Sequence, residues 1–321
     1  MTTQTPLRRP SETLDRLLDD ELAFSPTFRR RYSTHLAMAL AALDQMGAPP
    51  SVLQATFDAH ARGESEPRDD PERLEERLRE VARDGTAATV AARVPNVAVG
   101  PASQLFHPMI RLAYALEVEH PGQVAAALLD WETRLQVLPA PPGPHGVRRL
   151  RDVAAALADH PEGTWDRTFD VEGTAARPEV QTALEGVAVD ADTLDDISSF
   201  ALAAHATAGE FVTLHLVTGA RALRVVSGWV DADTARLLAE RALTAMAVGY
   251  AVVGAPPMLD PTELDRLRGS ALPDRDAVLE HAIGSPDPHV VKLANVAMAE
   301  EARTGDLLYR VLAARVVGLV D

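Results

Sequence analysis

The residues with the greatest chemical potential in this sequence are histidines that lie in apolar stretches. The chain has ten histidines, and five of them lie within or at the start of such stretches: His35, His107, His205, His215 and His289. Any one of them alone is readily interpreted as a core imidazole bonded to a carbonyl. Burying all five would leave many ring nitrogens in need of partners, at about 1–3 kcal/mol for each one left unpaired. One metal ion would satisfy several of them at once, so the pattern predicts a buried metal site.

The single lysine of the sequence also supports a buried metal site. Lys292 is the only lysine among 31 basic residues, and it lies three residues after His289, so both share a helix face. The flanking Val290, Val291 and Leu293 favour burial over an ordinary surface position. A lysine in an apolar setting can lose its proton, act as a base or nucleophile, or be modified on nitrogen. With carbon dioxide, the neutral amine forms a carbamate, which is an anionic oxygen ligand.

The elements that position these residues are predicted to be helices. Residues 70–85 show the pattern most clearly, with an aspartate cap, a proline at the first helical position, an apolar face and a glycine stop. The same reasoning predicts further helices over 11–23, 33–46, 51–62, 86–94 (ended before Pro95), 108–119, 121–137, 147–159, 191–207, 209–227, 231–252, 261–268, 274–283, 287–303 and 305–319. No run of alternation is long enough for a convincing strand. The sequence therefore predicts an all-α protein.

Two polar segments are candidate domain boundaries. Residues 139–146 form a stiff proline-rich connector, and residues 162–177 are polar with several turn residues. Sub-halves 11–138 and 147–321 would follow from the first of them. Because the candidate ligands come from both sides, we predict a disordered tail over 1–10 and a single large multi-helix domain over 11–321, with the site buried between helices.

Composition removes several classes of function. The absence of cysteine excludes disulfides, iron–sulfur clusters and thiol nucleophiles. A net charge of −16 without a basic stripe argues against nucleic acid. The longest apolar stretch, 242–255, is shorter than the roughly 18–20 residues of a membrane span and is predicted to be a core helix. No signal peptide is visible, so we predict a cytoplasmic protein without membrane contact.

Four sequence blocks resemble the questin oxidase-like family. They are HLAMALAAL at 35–43 followed by MGA at 46–48, HPMIRLAYALE at 107–117, FVTLHLVT at 211–218 and HVVK at 289–292. Each block is a short apolar segment with one histidine, and the four occur in the order of the family across nearly the whole chain. This chain is shorter than the fungal members and has only 4% aromatic residues, which puts the substrate in doubt.

The resemblance implies an all-helical non-haem iron oxygenase in which four histidines and a carbamylated lysine hold the metal. Carried over block by block, the ligands are His35, His107, His215, His289 and Lys292. The best-known members cleave a ring of anthraquinone-type polyketides with dioxygen in secondary metabolism, and they are described as Baeyer–Villiger-like. The implied partners are therefore a small aromatic substrate and dioxygen.

Helix spacing adds candidate residues around these ligands. Arg111 and Tyr114 follow His107 at i+4 and i+7, and Thr218 follows His215 at i+3, so these three are predicted to contact substrate.

Three further polar residues are candidates for supporting roles. Glu117 and Glu210 are candidates to accept a hydrogen bond from a ligand histidine, although a solvated surface carboxylate is the alternative for each. His205 is left as a candidate acid or base for bound substrate, a substitute ligand, or a satisfied core residue.

Other classes of function stay open at this point. A metal-dependent hydrolase could use the same histidines and lysine, although no H-x-H motif with further aspartates accompanies them. A third interpretation is an oxidase that uses NADPH or flavin, although the chain has no G-x-G-x-x-G motif after a strand. A non-catalytic helical ligand-binding protein would be favoured by a metal-free protein with the five residues dispersed. The oligomeric state is open.

Overall fold

The computed structural model describes residues 10–29, 32–63, 65–161, 163–165 and 170–320, and within them the fold is all-α, as predicted. In chain order the elements are α1 (Glu12–Glu21), β1 (Thr27–Phe28), β2 (Tyr32–Ser33), α2 (Leu36–Gln45), α3 (Pro50–Gly63), α4 (Pro71–Asp84), α5 (Thr86–Val97), α6 (His107–Glu117), α7 (Pro121–Thr133), α8 (Leu150–Ala158), α9 (Val171–Ala175), α10 (Pro178–Leu184), α11 (Thr193–Ala208), α12 (Phe211–Ser227), α13 (Ala232–Val252), α14 (Pro261–Arg268), α15 (Arg275–Ile283), α16 (Pro288–Thr304) and α17 (Leu308–Val316). The two strands pair antiparallel, with Thr27 opposite Ser33.

The backbone contacts divide the chain into two compact units. The first unit contains the described residues of 1–92, 110–133 and 271–321, and the second contains those of 93–109 and 134–270. Both units are discontinuous in sequence. The prediction of one domain over 11–321 stays a prediction, and the predicted tail lies outside the described residues except for residue 10.

In the first unit, α16 packs against α2 and α17, and α4 packs against α7. Helix α2 is apolar on all sides and is buried from Leu36 to Asp44, as expected for a helix in the middle of a core. Helix α16 begins at Pro288, one residue after the predicted start, with Asp287 as the cap. It ends at Gly305, which adopts a left-handed φ of 74°. The cap and the proline fix the N-terminal turn of α16.

In the second unit, α12 packs against α11 and α13. The chain turns from α11 into α12 at Gly209, which has a left-handed φ of 62°. Helix α13 is buried throughout its last eleven residues, 242–252, so the longest apolar stretch of the sequence is a core helix, as predicted. None of the described helices is both long and apolar enough to span a bilayer.

The predicted element boundaries were wrong in a few places. Helix α5 continues through Pro95 to Val97, although a proline inside a helix removes one hydrogen bond and crowds the carbonyl four residues earlier. Helix α7 ends at Thr133 rather than at residue 137. The segment 162–177, read as a polar connector, contains the short helix α9, and α10 follows where no helix was predicted. Both short helices lack the long apolar periodicity on which the predictions relied.

Candidate metal centre

Two of the predicted ligands, His35 and His289, form a pair in the first unit. His35 caps α2 and His289 lies in the first turn of α16. Their rings meet edge to face, with centroids 4.4 Å apart, and a nitrogen of each lies within 4.8 Å of the other. Two nitrogens that share a metal at about 2.1 Å are at most about 4.2 Å apart. The His35–His289 pair is therefore within a small side-chain adjustment of binding one ion.

Asp287 orients His289 and was missed by the sequence analysis. One of its carboxylate oxygens lies 2.9 Å from His289 Nδ1 and also accepts from the His289 backbone amide at 2.8 Å. A carboxylate that holds Nδ1–H leaves Nε2 as the metal-binding nitrogen. The signal in the sequence was an aspartate two residues before a histidine at a helix start.

Lys292 lies one turn after His289 on α16 and is fully buried. Its Nζ has no hydrogen-bond partner among the residues that the structure describes. Burial, with Asp287 opposing it and Arg111 adding to it, lowers the pKa of Lys292 to about 7. At neutral pH a substantial fraction of this amine is therefore uncharged. Burial and the charge of Lys292 also lower the pKa of His289, against the effect of Asp287.

Arg111, a predicted substrate contact, is held by protein groups. It is 2% exposed, and its Nη2 donates to the Thr34 carbonyl at 3.1 Å and to the Thr34 hydroxyl at 2.9 Å. Its Nη1 lies 3.7 Å from a carboxylate oxygen of the buried Glu21. Arg111 thus fixes the backbone immediately before His35 and places a positive charge near Lys292. Its contact with substrate stays a prediction.

Tyr114, the second predicted substrate contact, joins α6 to α16. Its hydroxyl donates to the side-chain oxygen of Asn295 at 3.0 Å. Asn295 lies one turn after Lys292, and Tyr114 lies one turn after Arg111. This bond between buried side chains holds the two segments in register inside the first unit.

The other two predicted ligands, His107 and His215, form a pair in the second unit. Their ring centroids lie 4.8 Å apart, and both side chains are buried. Nδ1 of His215 donates to the Phe211 carbonyl at 2.9 Å, and Nδ1 of His107 bonds to the Gln104 carbonyl. In each neutral ring these bonds place the proton on Nδ1 and the lone pair on Nε2. Both rings are therefore in a tautomer that presents the Nε2 lone pair to a metal.

The remaining candidates have local partners. His205 is half-buried with Nδ1 3.0 Å from the Thr213 hydroxyl, and the Thr218 hydroxyl bonds within its own helix to the Leu214 and His215 carbonyls.

The two candidate carboxylates lie at helix ends. Glu210 is exposed at the cap of α12, and Glu117 is half-buried at the end of α6. Asp287 is a carboxylate that contacts a predicted ligand histidine.

The donor types fit a transition metal. Imidazole nitrogens suit iron, zinc, copper and nickel, whereas magnesium and calcium prefer oxygen. The unpartnered amine of Lys292 is the unusual member of the set, because a buried cation without hydrogen bonds is costly. Its conversion to a carbamate would make it an anionic oxygen ligand, and a bound metal cation would then balance the buried charge.

No protein-family model matches this sequence, and no curated protein matches it significantly. The resemblance to the questin oxidase-like family rests on the four histidine blocks and the lysine.

Proposed function

We propose that this chain is a non-haem iron oxygenase that acts on an aromatic polyketide or a related small molecule, by ring cleavage or a Baeyer–Villiger-like oxidation. The proposed ligands of the iron are His35, His107, His215, His289 and the carbamate of Lys292. The observation that carries the proposal is the fully buried Lys292 amine, one turn from a histidine pair and without a hydrogen-bond partner in the described chain.

The lowered pKa of Lys292 supports its modification. Only the neutral amine can attack carbon dioxide, and a pKa of about 7 leaves much of this amine neutral at physiological pH. Nζ forms a bond to carbon, one C–O π pair moves to oxygen, and the nitrogen releases a proton. The product is a carbamate with one negative charge. The nearby guanidinium of Arg111, which lowers the pKa of the amine, favours this anion for the same electrostatic reason.

Protein groups around the candidate histidines hold their rings in position. The Asp287 carboxylate and the carbonyls of Gln104 and Phe211 hold the Nδ1 protons of three rings. These bonds fix ring orientation before any metal binds, which lowers the entropy cost of binding. An iron ion bound by these residues would supply the activation of dioxygen that carbon oxidation requires.

Iron loading in the presence of bicarbonate tests the proposal. We expect chelator-treated protein, reconstituted anaerobically with ferrous iron and bicarbonate, to bind about one iron per chain and to consume oxygen with a hydroxyanthraquinone. With ¹³C-bicarbonate, a carbamate carbon signal should appear by NMR. Lys292→Arg should lose both the signal and the iron, because a guanidinium stays protonated. Full iron content in the variant would refute the carbamate, and wild-type protein without iron would refute the oxygenase.

Asp287 provides a separate prediction about positioning. Loss of its carboxylate should weaken iron binding by about 10–100-fold, the usual effect of removing a group that orients a ligand histidine. Asp287→Ala should also lose about 1 kcal/mol of stability with the helix cap, whereas Asp287→Ser keeps a capping hydroxyl. Iron titration and urea unfolding of both variants separate the two effects. Wild-type affinity in Asp287→Ser would mean that the carboxylate is only a cap.

A further inference from the structure

The backbone immediately before His107 is strained. Gln104, Leu105 and Phe106 have φ values of 50°, 55° and 67°, so three successive residues with side chains adopt the left-handed conformation. Only glycine adopts this conformation freely, and runs of it are rare because each Cβ crowds the following carbonyl oxygen. Strain of this kind persists only where surrounding contacts impose it, and it concentrates at functional sites.

Hydrogen bonds within the second unit hold the strained segment. The Gln136 side-chain oxygen accepts from the Gln104 amide at 2.7 Å, and the Ser103 hydroxyl accepts from the Gln136 amide at 2.9 Å. The Gln104 carbonyl in turn accepts from the His107 ring. The left-handed turn is therefore coupled directly to the orientation of a candidate metal ligand.

Two side chains of this segment close an apolar cavity between α12 and α13. Leu105 and Phe106 line it together with Val212, Leu216, Val248 and Val252, and every lining residue is apolar. The remaining cavity volume is about 10 Å³, enough for about one water-sized sphere.

The Phe106 ring forms the wall of this cavity that faces α12. It packs so closely on α12 that a Cβ at position 219 would lie 2.7 Å from its Cγ, which explains the glycine there.

The residues that line the cavity are close in the chain to the His107–His215 pair. Phe106 directly precedes His107, and its ring packs on Gly219, which lies one turn after His215 on α12. A molecule that replaced the Phe106 ring would therefore contact mainly apolar side chains, one helical turn from His215.

We propose that this cavity is a binding site for the uncharged aromatic ring of the substrate, with Phe106 as a plug that leaves when the 104–106 segment relaxes from its left-handed conformation. Its role in substrate binding rests on the proposed function, whereas its ability to bind an aromatic ring does not. The relaxation of the strained backbone offsets the loss of Phe106 packing, so the closed and open forms can interconvert. The aromatic ring of the ligand takes the place of the phenyl ring.

Fluorescence titration of the full chain with 2-naphthol, an uncharged aromatic probe, tests this site without added iron. We expect saturable binding to the wild-type protein. Phe106→Ala should bind roughly tenfold more tightly, because the plug no longer competes with the probe. Val252→Phe, which fills the cavity, should lose binding. Phe200→Ala is the matched control, since it removes an equally buried phenyl ring that does not line the cavity, and it should bind as the wild type does.

Movement of the plug has its own readout. In protein labelled with fluorophenylalanine, the ¹⁹F resonance of Phe106 is the one that is missing from the spectrum of Phe106→Leu. We expect this resonance of the wild type to shift when 2-naphthol binds. Absence of saturable binding to the wild type, an unmoved Phe106 resonance, or an equal gain in Phe200→Ala would each overturn the proposal. Iron content, measured on the same preparations, reports on the proposed function independently. Probe binding without iron binding would leave this site standing and the oxygenase refuted.

Discussion

Replacement of Lys292 by methionine is expected to stabilise the metal-free protein and, at the same time, to abolish iron binding and oxygen consumption. The wild-type amine is fully buried and unpartnered among the described residues. An apolar side chain of similar length fills the same space without the desolvation cost of a charge. Exchanges of buried charged groups for apolar ones often stabilise proteins by about 1–4 kcal/mol. We expect a gain in this range by urea unfolding at pH 7.

The gain in stability of Lys292→Met over the wild type should depend on pH in a defined direction. Folding lowers the pKa of Lys292 from 10.5 to about 7, so between these pH values the unfolded chain binds more protons than the folded chain. The stability of the wild type therefore rises as the pH rises through this window. The advantage of Lys292→Met should be greatest at or below pH 7 and should shrink toward pH 10. The buffers must be free of carbon dioxide, because carbamylation would replace the neutral amine.

Lys292→Arg is the control for this prediction. Arginine keeps its charge at every pH in the window, so this variant should be less stable than the wild type throughout and should also lose iron. A buried lysine that is kept for metal binding at a cost in stability would follow the trade-off that is common at active sites. Full iron content in Lys292→Met, or an advantage that grows with pH, would contradict the proposed role of the lysine.

Alanine at His35 and alanine at His215 are each expected to remove the whole iron content of the chain. His35 belongs to the pair with His289 in the first unit, and His215 to the pair with His107 in the second. If all five proposed ligands serve one ion, loss of a residue from either pair should reduce iron from about one per chain to a small fraction, because the ion loses a direct donor.

Metal stoichiometry distinguishes this result from two separate sites. Separate sites would bind about two ions in the wild type, and each alanine variant would keep the ion of the other pair. Iron and protein concentrations measured after desalting provide the comparison. His281→Ala is the matched control, because His281 is exposed and bonds to its own helix through the Ala277 carbonyl. We expect it to keep full iron content.

Local sequence signals predicted much of the secondary structure. Helix α4 begins after Asp70 and ends at Gly85 as its cap, proline and glycine indicate. These signals work because the groups that start and stop a helix lie within a few residues of each other along the chain. The same reasoning failed at Pro95, where α5 continues.

The candidate ligands were identified by residue type and by apolar surroundings, and both are properties of the sequence. The lone lysine was recognised because a chain with so many arginines otherwise avoids it, and its burial was predicted from the valines around it. Its hydrogen-bond state and the direction of its pKa shift came from the structure. The pKa is lowered mainly by burial; Arg111, which is distant in sequence, adds to this effect, and Asp287 opposes it.

The sequence by itself determined the helical class, most helix boundaries and the choice of candidate metal ligands, because these follow from short-range periodicity and side-chain chemistry. Tertiary structure decided which histidines pair and how the strained 104–106 segment packs against α12. These outcomes depend on contacts between residues far apart in the chain. His35 and His289 show the difference most plainly: the sequence identified both as candidate ligands, and folding brought their ring centroids to 4.4 Å from each other.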